Sequence, residues 1–439
     1  MSTLALDTQR LRLALQSTRT VVESGRVVQA GGTVLRATGL RARIGQQCRI
    51  VDPNDGEPLL AEVIGFAGAE VILAPYGTLQ GVAVGAAVQA LGDEARVPCG
   101  TALLGRVIDA FGRPLDGRPL ADATRSTPLY AQAPSPLTRR GVDAPLATGV
   151  RAIDAALTVG EGQRVGIFAM AGGGKSTLLG MLARQARADV NVIALVGERG
   201  REVREFLDDS LGEEGLARSV VVVSTSDRPA LERVRAAHAA TAIAEGFRSE
   251  GRRVLLLVDS VTRFARGLRE LGLSALEPPV RRGYPPSVFA ELPRLFERAG
   301  NDDRGSITAF YTVLAEDEDN SDPVAEEVRS ILDGHIVLSR QLAQAHHYPA
   351  IDVLGSASRV FTRVADPAHR DAAARMRSLL ARYAEVEFLL RVGEYQAGSD
   401  PLADQAIARM PALRALLTQR ADEATDFAAT VAQLAETVA

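Results

Sequence analysis

Nine consecutive residues carry the side chains and the glycines needed to grip phosphate: Ala169, Met170, Ala171, Gly172, Gly173, Gly174, Lys175, Ser176 and Thr177. Glycines let successive backbone N–H groups converge on one anion with no side chain in the way. The ammonium of Lys175 supplies a point charge for outer phosphates, and the Ser176 hydroxyl is a hard oxygen ligand for Mg²⁺. The spacing departs from the phosphate-loop pattern G-x-x-x-x-G-K-S/T at its first glycine, where Ala169 stands. A small side chain is tolerated there more easily than in the later glycines. Lysine and arginine together number 50 and Lys175 is the only lysine, so the other 49 are arginine. A compact ammonium cannot be exchanged for a planar guanidinium in a tight phosphate cradle, which accounts for the lysine at this one place.

Two acids complete a hydrolytic set. Asp259 ends the apolar run Val-Leu-Leu-Leu-Val at 254–258, where a carboxylate can hold Mg²⁺ through water or beside Ser176. Glu198 follows the run Asn-Val-Ile-Ala-Leu-Val at 191–196 and can polarise the water that attacks a γ-phosphate. Arg199 can pair with phosphate or position Glu198, and Arg263, four residues past Asp259, can do either too. Glu202, Arg204 and Glu205 read as a solvated salt-bridge cluster.

These residues need a scaffold that brings separate strand ends together. Apolar runs at 164–168, 191–196, 219–223, 254–258 and 307–314 alternate with helical segments, as parallel strands covered on both faces do. Ligands then bind at the strands' carboxyl ends. Leu178, Leu179, Met181 and Leu182 predict the inner face of a helix starting near Gly174, whose positive dipole end would meet the phosphate. Residues 20–95 read instead as short strands separated by turns such as Gly31-Gly32 and Asn54-Asp55-Gly56, best closed as a small barrel. A Pro/Gly-rich connector covers 112–119. Residues 368–439 are helical in pattern, with one stripe at Val386, Leu389 and Leu390 and another at Phe427, Val431, Leu434 and Val438.

At 439 residues the chain is long for one core. A net charge of −4 implies no broad affinity for nucleic acid, and aromatics at 4 % with no Trp offer no stacking platform for it. Two cysteines, Cys48 and Cys99, fit a reducing compartment rather than a disulfide framework. The chain has no apolar run long enough to span a membrane and no export-signal layout at its start. Residues 1–45 carry seven arginines against Asp7 and Glu23, and Leu4, Leu11, Ala14 and Leu15 lie near helical spacing. This reads either as a solvated arm or as a basic amphipathic segment that docks on a partner or an anionic membrane surface.

The stretch Pro-Ala-Ile-Asp-Val-Leu-Gly-Ser-Ala-Ser-Arg at 349–359, the phosphate loop and Gly197-Glu198-Arg199 resemble the rotary ATP synthase α/β superfamily. Further segments look like its export-ATPase branch in type III secretion and flagella: 197–206, 259–266, 282–289, 330–340 and 393–396. The resemblance spans roughly residues 20 to 410. It implies an α/β fold: a RecA-like parallel-sheet core with the phosphate loop, a small N-terminal β-barrel before it and a C-terminal helical domain after it. The expected borders are 1–20 for an arm, 21–98 for the barrel, 99–360 for the ATPase domain and 361–439 for the helical domain.

The resemblance also implies a homohexamer with nucleotide between subunits and with Arg359 reaching into the neighbour's site. A planar, always-charged donor suits the charge that develops on a transferred phosphoryl group. Expected partners are a stalk protein facing the segment Glu277 to Pro286, a stator or regulator, and chaperone–effector complexes, but no nucleic acid. The location expected is cytoplasmic, peripheral at the inner membrane. Flagellar members carry His-Tyr where this chain has His369-Arg370, so the injectisome branch is favoured and Arg370 is the expected adenine contact. The activity expected is Mg-ATP hydrolysis coupled to chaperone release, unfolding and export. A flagellar export ATPase and a non-hydrolysing nucleotide-binding ring subunit are the alternatives, with Glu198 speaking against the second. A rotary synthase subunit and an RNA translocase fit less well.

Overall fold

The computed structural model describes residues 24–51, 58–92, 95–120, 125–170, 172–314 and 322–439. The basic arm with Leu4, Leu11, Ala14 and Leu15, the Asn54 turn and Ala171 lie outside the described residues. The chain divides into two compact units, Met1–Glu94 and Ala95–Ala439.

In the first unit, strands Ser24–Gly31, Val34–Thr38, Glu70–Pro75, Leu59–Ala67, Gln47–Val51 and Ala87–Ala90 close, in that order, into an antiparallel barrel. Alternation along each strand sends one residue in two to the interior. Val27, Leu35, Ala37, Cys48, Ile50, Val63, Val71, Leu73 and Val88 form its core. Closure leaves no strand edge free to pair. The short strand Ala87–Ala90, too brief to stand out in the sequence, joins both Gln47–Val51 and Ser24–Gly31 and completes the ring.

The second unit is built on one sheet. Its strands run, in order, Ile351–Ser358, Gly334–Leu338, Arg164–Ala169, Ser306–Leu314, Arg253–Asp259, Val190–Glu198, Ser219–Thr225 and Arg106–Asp109. Every neighbouring pair on this path is parallel except the first, which is antiparallel. The five apolar runs are therefore its central strands. Successive side chains feed opposite cores: Val192, Ala194, Val196, Leu256 and Val258 pack on one face, and Ile193, Leu195, Leu255 and Leu257 on the other. The sheet also takes in three strands that the sequence pattern did not mark. Arg106–Asp109 hides in a Gly-rich stretch, and Gly334–Leu338 and Ile351–Ser358 are short or interrupted by Gly and Ser.

Helices Ala230–Ser249, Val261–Ser274 and Pro286–Phe296 cover one face. Helix Lys175–Gln185 covers the other, with Leu178, Leu179, Met181 and Leu182 all buried as their spacing requires. The C-terminal helices Pro367–Val392, Pro401–Leu417 and Phe427–Val438 join this second core through Met376, Leu379, Leu413, Leu416, Leu434 and Val438. Each is started by an aspartate, Asp366, Asp400 or Asp426, whose carboxylate accepts from backbone N–H groups of the first turn. The Phe427 stripe faces inward as expected. The Val386 stripe does so only in part: Val386 is buried, but Leu389 and neighbouring Phe388 and Val392 are exposed, because the helix runs past its partners there. Among the described residues no helix is long and apolar enough to cross a membrane.

Candidate nucleoside-triphosphate site

Four strand ends meet at one edge of the sheet. Arg164–Ala169 runs straight into the glycine loop, while Val190–Glu198 and Arg253–Asp259 end in the two acids and Ser306–Leu314 lies between the loop strand and Asp259. They border a cavity of about 570 Å³ lined by Met170, Gly172, Gly174, Lys175, Ser176, Thr177, Glu198, Arg199, Asp259 and Arg263, with Glu202 and Glu205 among its other walls. Gly174 sits at φ +80° as the N-cap of the Lys175–Gln185 helix, a left-handed conformation that disfavours other residues. The first-turn N–H groups and the positive helix end therefore face the cavity with no acid in that turn.

Lys175 Nζ is bonded to Asp259 and stands 3.6 Å from Glu198 Oε1. Asp259 is also held by Thr312, whose hydroxyl donates to Oδ1 at 2.7 Å. Arg263 grips Glu198 with two donors, Nε at 3.0 Å from Oε1 and Nη2 at 3.3 Å from Oε2. That two-pronged geometry fixes the carboxylate plane. It depends on Gly197, since a Cβ there would lie 2.8 Å from Arg263 Cδ. Ser260 caps the helix carrying Arg263 by accepting from its backbone N–H at 3.4 Å.

Glu198 is 7 % exposed. Burial first, then the Asp259 carboxylate, push its carboxyl up to about 7, and a hydrogen bond with Glu202 adds to the rise; Lys175 and Arg263 oppose it. That same bond, ahead of the Arg199 charge, holds Glu202 below its ordinary value. Glu198 thus carries its proton in about half of the free molecules near neutrality. If Glu198 acts as a base it must lose that proton first, so kcat/KM should then be full above about pH 8 and fall about tenfold per unit below about pH 6. A pH profile of ATPase activity checks this, and a flat profile across that interval would remove Glu198 from the role.

Of the residues picked out in the sequence, the structure brings Lys175, Ser176, Glu198, Arg199, Asp259 and Arg263 to one cavity. Arg199 is largely exposed and pairs with Glu202 at 3.3 Å. Glu202 is more than part of a solvated cluster, since it walls the cavity and helps to raise the Glu198 carboxyl. Arg204 does pair outward, with Asp208 at 2.5 Å. Ala169 is buried at the strand end. Arg359 is exposed and outside the cavity of its own chain, its guanidinium 3.2 Å from the Arg329 carbonyl and 3.4 Å from that of Ser330. Arg370 is outside it as well and donates to the Thr362 carbonyl at 3.4 Å. His369 beside it is buried between Phe361 and Phe427 and bonded to the Ala155 carbonyl at 2.9 Å, a packing role.

Sequence reasoning missed Thr312 and Tyr348. Thr312 lies within an apolar strand where a lone hydroxyl looks incidental. The Tyr348 ring lies against the loop, its edge atoms 3.5 Å from where a Gly174 Cβ would stand, and it is 38 % exposed. The signal was the Tyr-Pro pair just ahead of the Ile351–Ser358 strand, an aromatic at a strand entrance.

A glycine loop opening a helix, a lysine, and two acids at parallel strand ends define a phosphate-loop nucleotide-hydrolysing enzyme. The nucleotide-binding domain of the ATP synthase alpha/beta family matches residues 149–358, and that family's beta-barrel domain matches 21–92. The T3SS EscN ATPase C-terminal domain matches 365–436. The type 3 secretion system ATPase of Xanthomonas euvesicatoria is 56 % identical over 390 residues, 89 % of this chain and 88 % of that one. The flagellum-specific ATP synthase of Pseudomonas aeruginosa is 50 % identical over 405 residues, 91 % of this chain and 90 % of that one. The assembled ATPase EscN of the enteropathogenic E. coli type III secretion system superposes with a TM-score of 0.90 at 49 % identity, covering 94 % of this chain and 100 % of that one. The same enzyme in complex with its central stalk EscO gives 0.87 at 48 % identity over the same shares. The chain belongs to the ATP synthase α/β family, in its type 3 secretion ATPase branch, and is an ATP-hydrolysing enzyme.

Proposed function

We propose that this chain is the Mg-ATP-driven motor of a bacterial type III injectisome, which uses hydrolysis to detach chaperones from export substrates and help unfold them. The observation that carries the chemistry is the convergence of Lys175, Glu198 and Asp259 on one side of the glycine loop. The route to secretion is the family relationship. On this reading the loop N–H groups, with Met170, Gly172, Gly173, Gly174 and Thr177 shaping the cradle, bind the phosphates. Lys175 exchanges its carboxylate partners for the outer phosphates. Glu198, held in plane by Arg263, takes the proton of the attacking water. Arg199 steadies Glu202 and adds charge at the cavity rim. Tyr348 is the better-placed ring for the base of the nucleotide, and Arg370 would serve only if its helix shifts.

Ser176 and Asp259 would hold Mg²⁺. A hydroxyl and a carboxylate are hard oxygen donors, and no cluster of three or more acidic, His or Cys side chains suited to a metal occurs among the described residues. That donor set fits an ion that keeps several waters and leans on substrate phosphates rather than on a protein cage. When bound, it neutralises phosphate charge.

We further propose a homohexamer with Arg359 completing the neighbour's site, a central stalk protein as partner, as EscO is in the solved EscN complex, and a stator or regulator. The borders 1–20, 21–98, 99–360 and 361–439 remain the proposed division of labour, with the ring peripheral at the inner membrane's cytoplasmic face. The deciding experiment is Glu198→Gln. The amide keeps the size of the carboxyl and one acceptor oxygen for Arg263 but cannot take a proton. ATP should bind within a few-fold of the parent while hydrolysis falls by about 10²- to 10⁴-fold. Normal hydrolysis by this variant would overturn the assignment of the base.

A further inference from the structure

We propose that Arg329 is the positioning residue for Arg359, the group that sets where the guanidinium of Arg359 is presented to a neighbouring subunit. This rests on the reading that Arg359 acts in trans.

Arg359 leaves the Ile351–Ser358 strand with its backbone N–H bonded to the Asp333 carbonyl at 2.9 Å. Its side chain then lies on the carbonyls of Arg329 and Ser330, at 3.2 Å and 3.4 Å. Those carbonyls belong to the last turn of the Pro323–Ile331 helix, which has no intrahelical donors for them. A guanidinium satisfies them and sits at the negative helix end. The position of Arg359 is therefore the position of that turn.

One aromatic side chain pins the turn. The Arg329 guanidinium carbon stands 4.7 Å from the centroid of Phe168, and Arg329 Nε is buried with no hydrogen-bond partner among the described residues. Among the described residues it is stacking on the ring, and no ion pair, that holds this side chain. Phe168 is buried in the strand that runs into the phosphate loop. It also meets His335 edge-on, with ring centroids 6.1 Å apart, and His335 Nε2 lies 3.1 Å from the Gly355 carbonyl oxygen in the strand that delivers Arg359. One ring thus fixes both supports between which Arg359 emerges. Burial first, then Arg329, hold the His335 imidazole below its ordinary value, with Arg359 adding to this. Two like charges and a neutral ring on one face suit a polyanion brought by another subunit.

A displacement of about 1 Å in a positioning group can cost about 10²-fold in rate. Arg329→Ala should therefore lower kcat about 10- to 100-fold, with KM for ATP within about threefold. Mixed rings locate the defect. Arg329→Ala subunits have sound phosphate loops, so mixing with Lys175→Ala subunits, whose Arg359 is sound, should restore activity. Mixing with Arg359→Ala subunits should not. Arg329→Gln, closer in size, should repeat the pattern. The reverse pattern would show that Arg329 acts on its own loop through Phe168, and recovery with neither partner in both variants would remove the proposal as well. Arg359→Ala mixed with Lys175→Ala is the control. If that pair fails to recover, the reading in trans falls and takes this inference with it. If it recovers and the Arg329 variants do not, this inference alone is lost.

Discussion

Lys175→Ala should lose ATP turnover entirely and most of its affinity for ATP. One change produces two defects. The outer phosphates lose their point charge, and removing a single donor to transferring charge typically costs about 10²- to 10³-fold. The second defect lies in the acids. Lys175 is the ammonium bonded to Asp259 and 3.6 Å from Glu198. Without it the two buried carboxylates lose the cation between them, and the larger of the two pulls that oppose the rise of Glu198 is gone, leaving only that of Arg263. The base then holds its proton further into the alkaline range. Lys175→Arg should not rescue, since a planar fork is larger than the ammonium and needs several acceptors in plane. Phosphate release and equilibrium ATP binding measure the two defects separately. Turnover at an unaltered pace in Lys175→Ala would end the mechanism proposed here.

Arg359→Ala should cut the rate by about 10³-fold or more if its guanidinium stabilises the transferred phosphoryl from the next subunit. Rings mixed with Lys175→Ala chains should regain activity, because some interfaces then join a sound loop to a sound arginine. Failure of mixed rings to recover would count against action across the interface. If so, specific activity should also climb steeply with protein concentration. The monomer explains why: Arg359 is outside its own cavity, resting on a helix end.

Much of this site was legible in the sequence because each part is local. Phosphate binding needs adjacent N–H groups and one amine, which a nine-residue string can spell out. Glu198 and Asp259 were legible because an acid ending an apolar run marks a strand's carboxyl end. Other residues were illegible because their meaning comes from a neighbour distant in sequence. Thr312 matters through Asp259, 53 residues away. Tyr348 matters through Gly174, and Glu202, which reads as one more surface acid, matters through its effect on the Glu198 carboxyl. Arg370 drew attention by its place in a motif, yet its helix directs it to Thr362. The Val386 stripe shows the same limit in the fold, since periodicity gives a helix its apolar side but not the length over which a partner covers it.

The amino-acid order alone determined the phosphate loop, the parallel strands that carry it, the barrel ahead of it and the helices behind, since each follows from short-range sterics and from apolar periodicity. Tertiary structure decided which side chains meet: the Arg263 fork on Glu198, the hydroxyl on Asp259, Glu202 on the cavity wall, and the ring of Phe168 under Arg329. Contacts between strand ends depend on sheet order, and sheet order is set by the packing of the whole domain rather than by any segment within it.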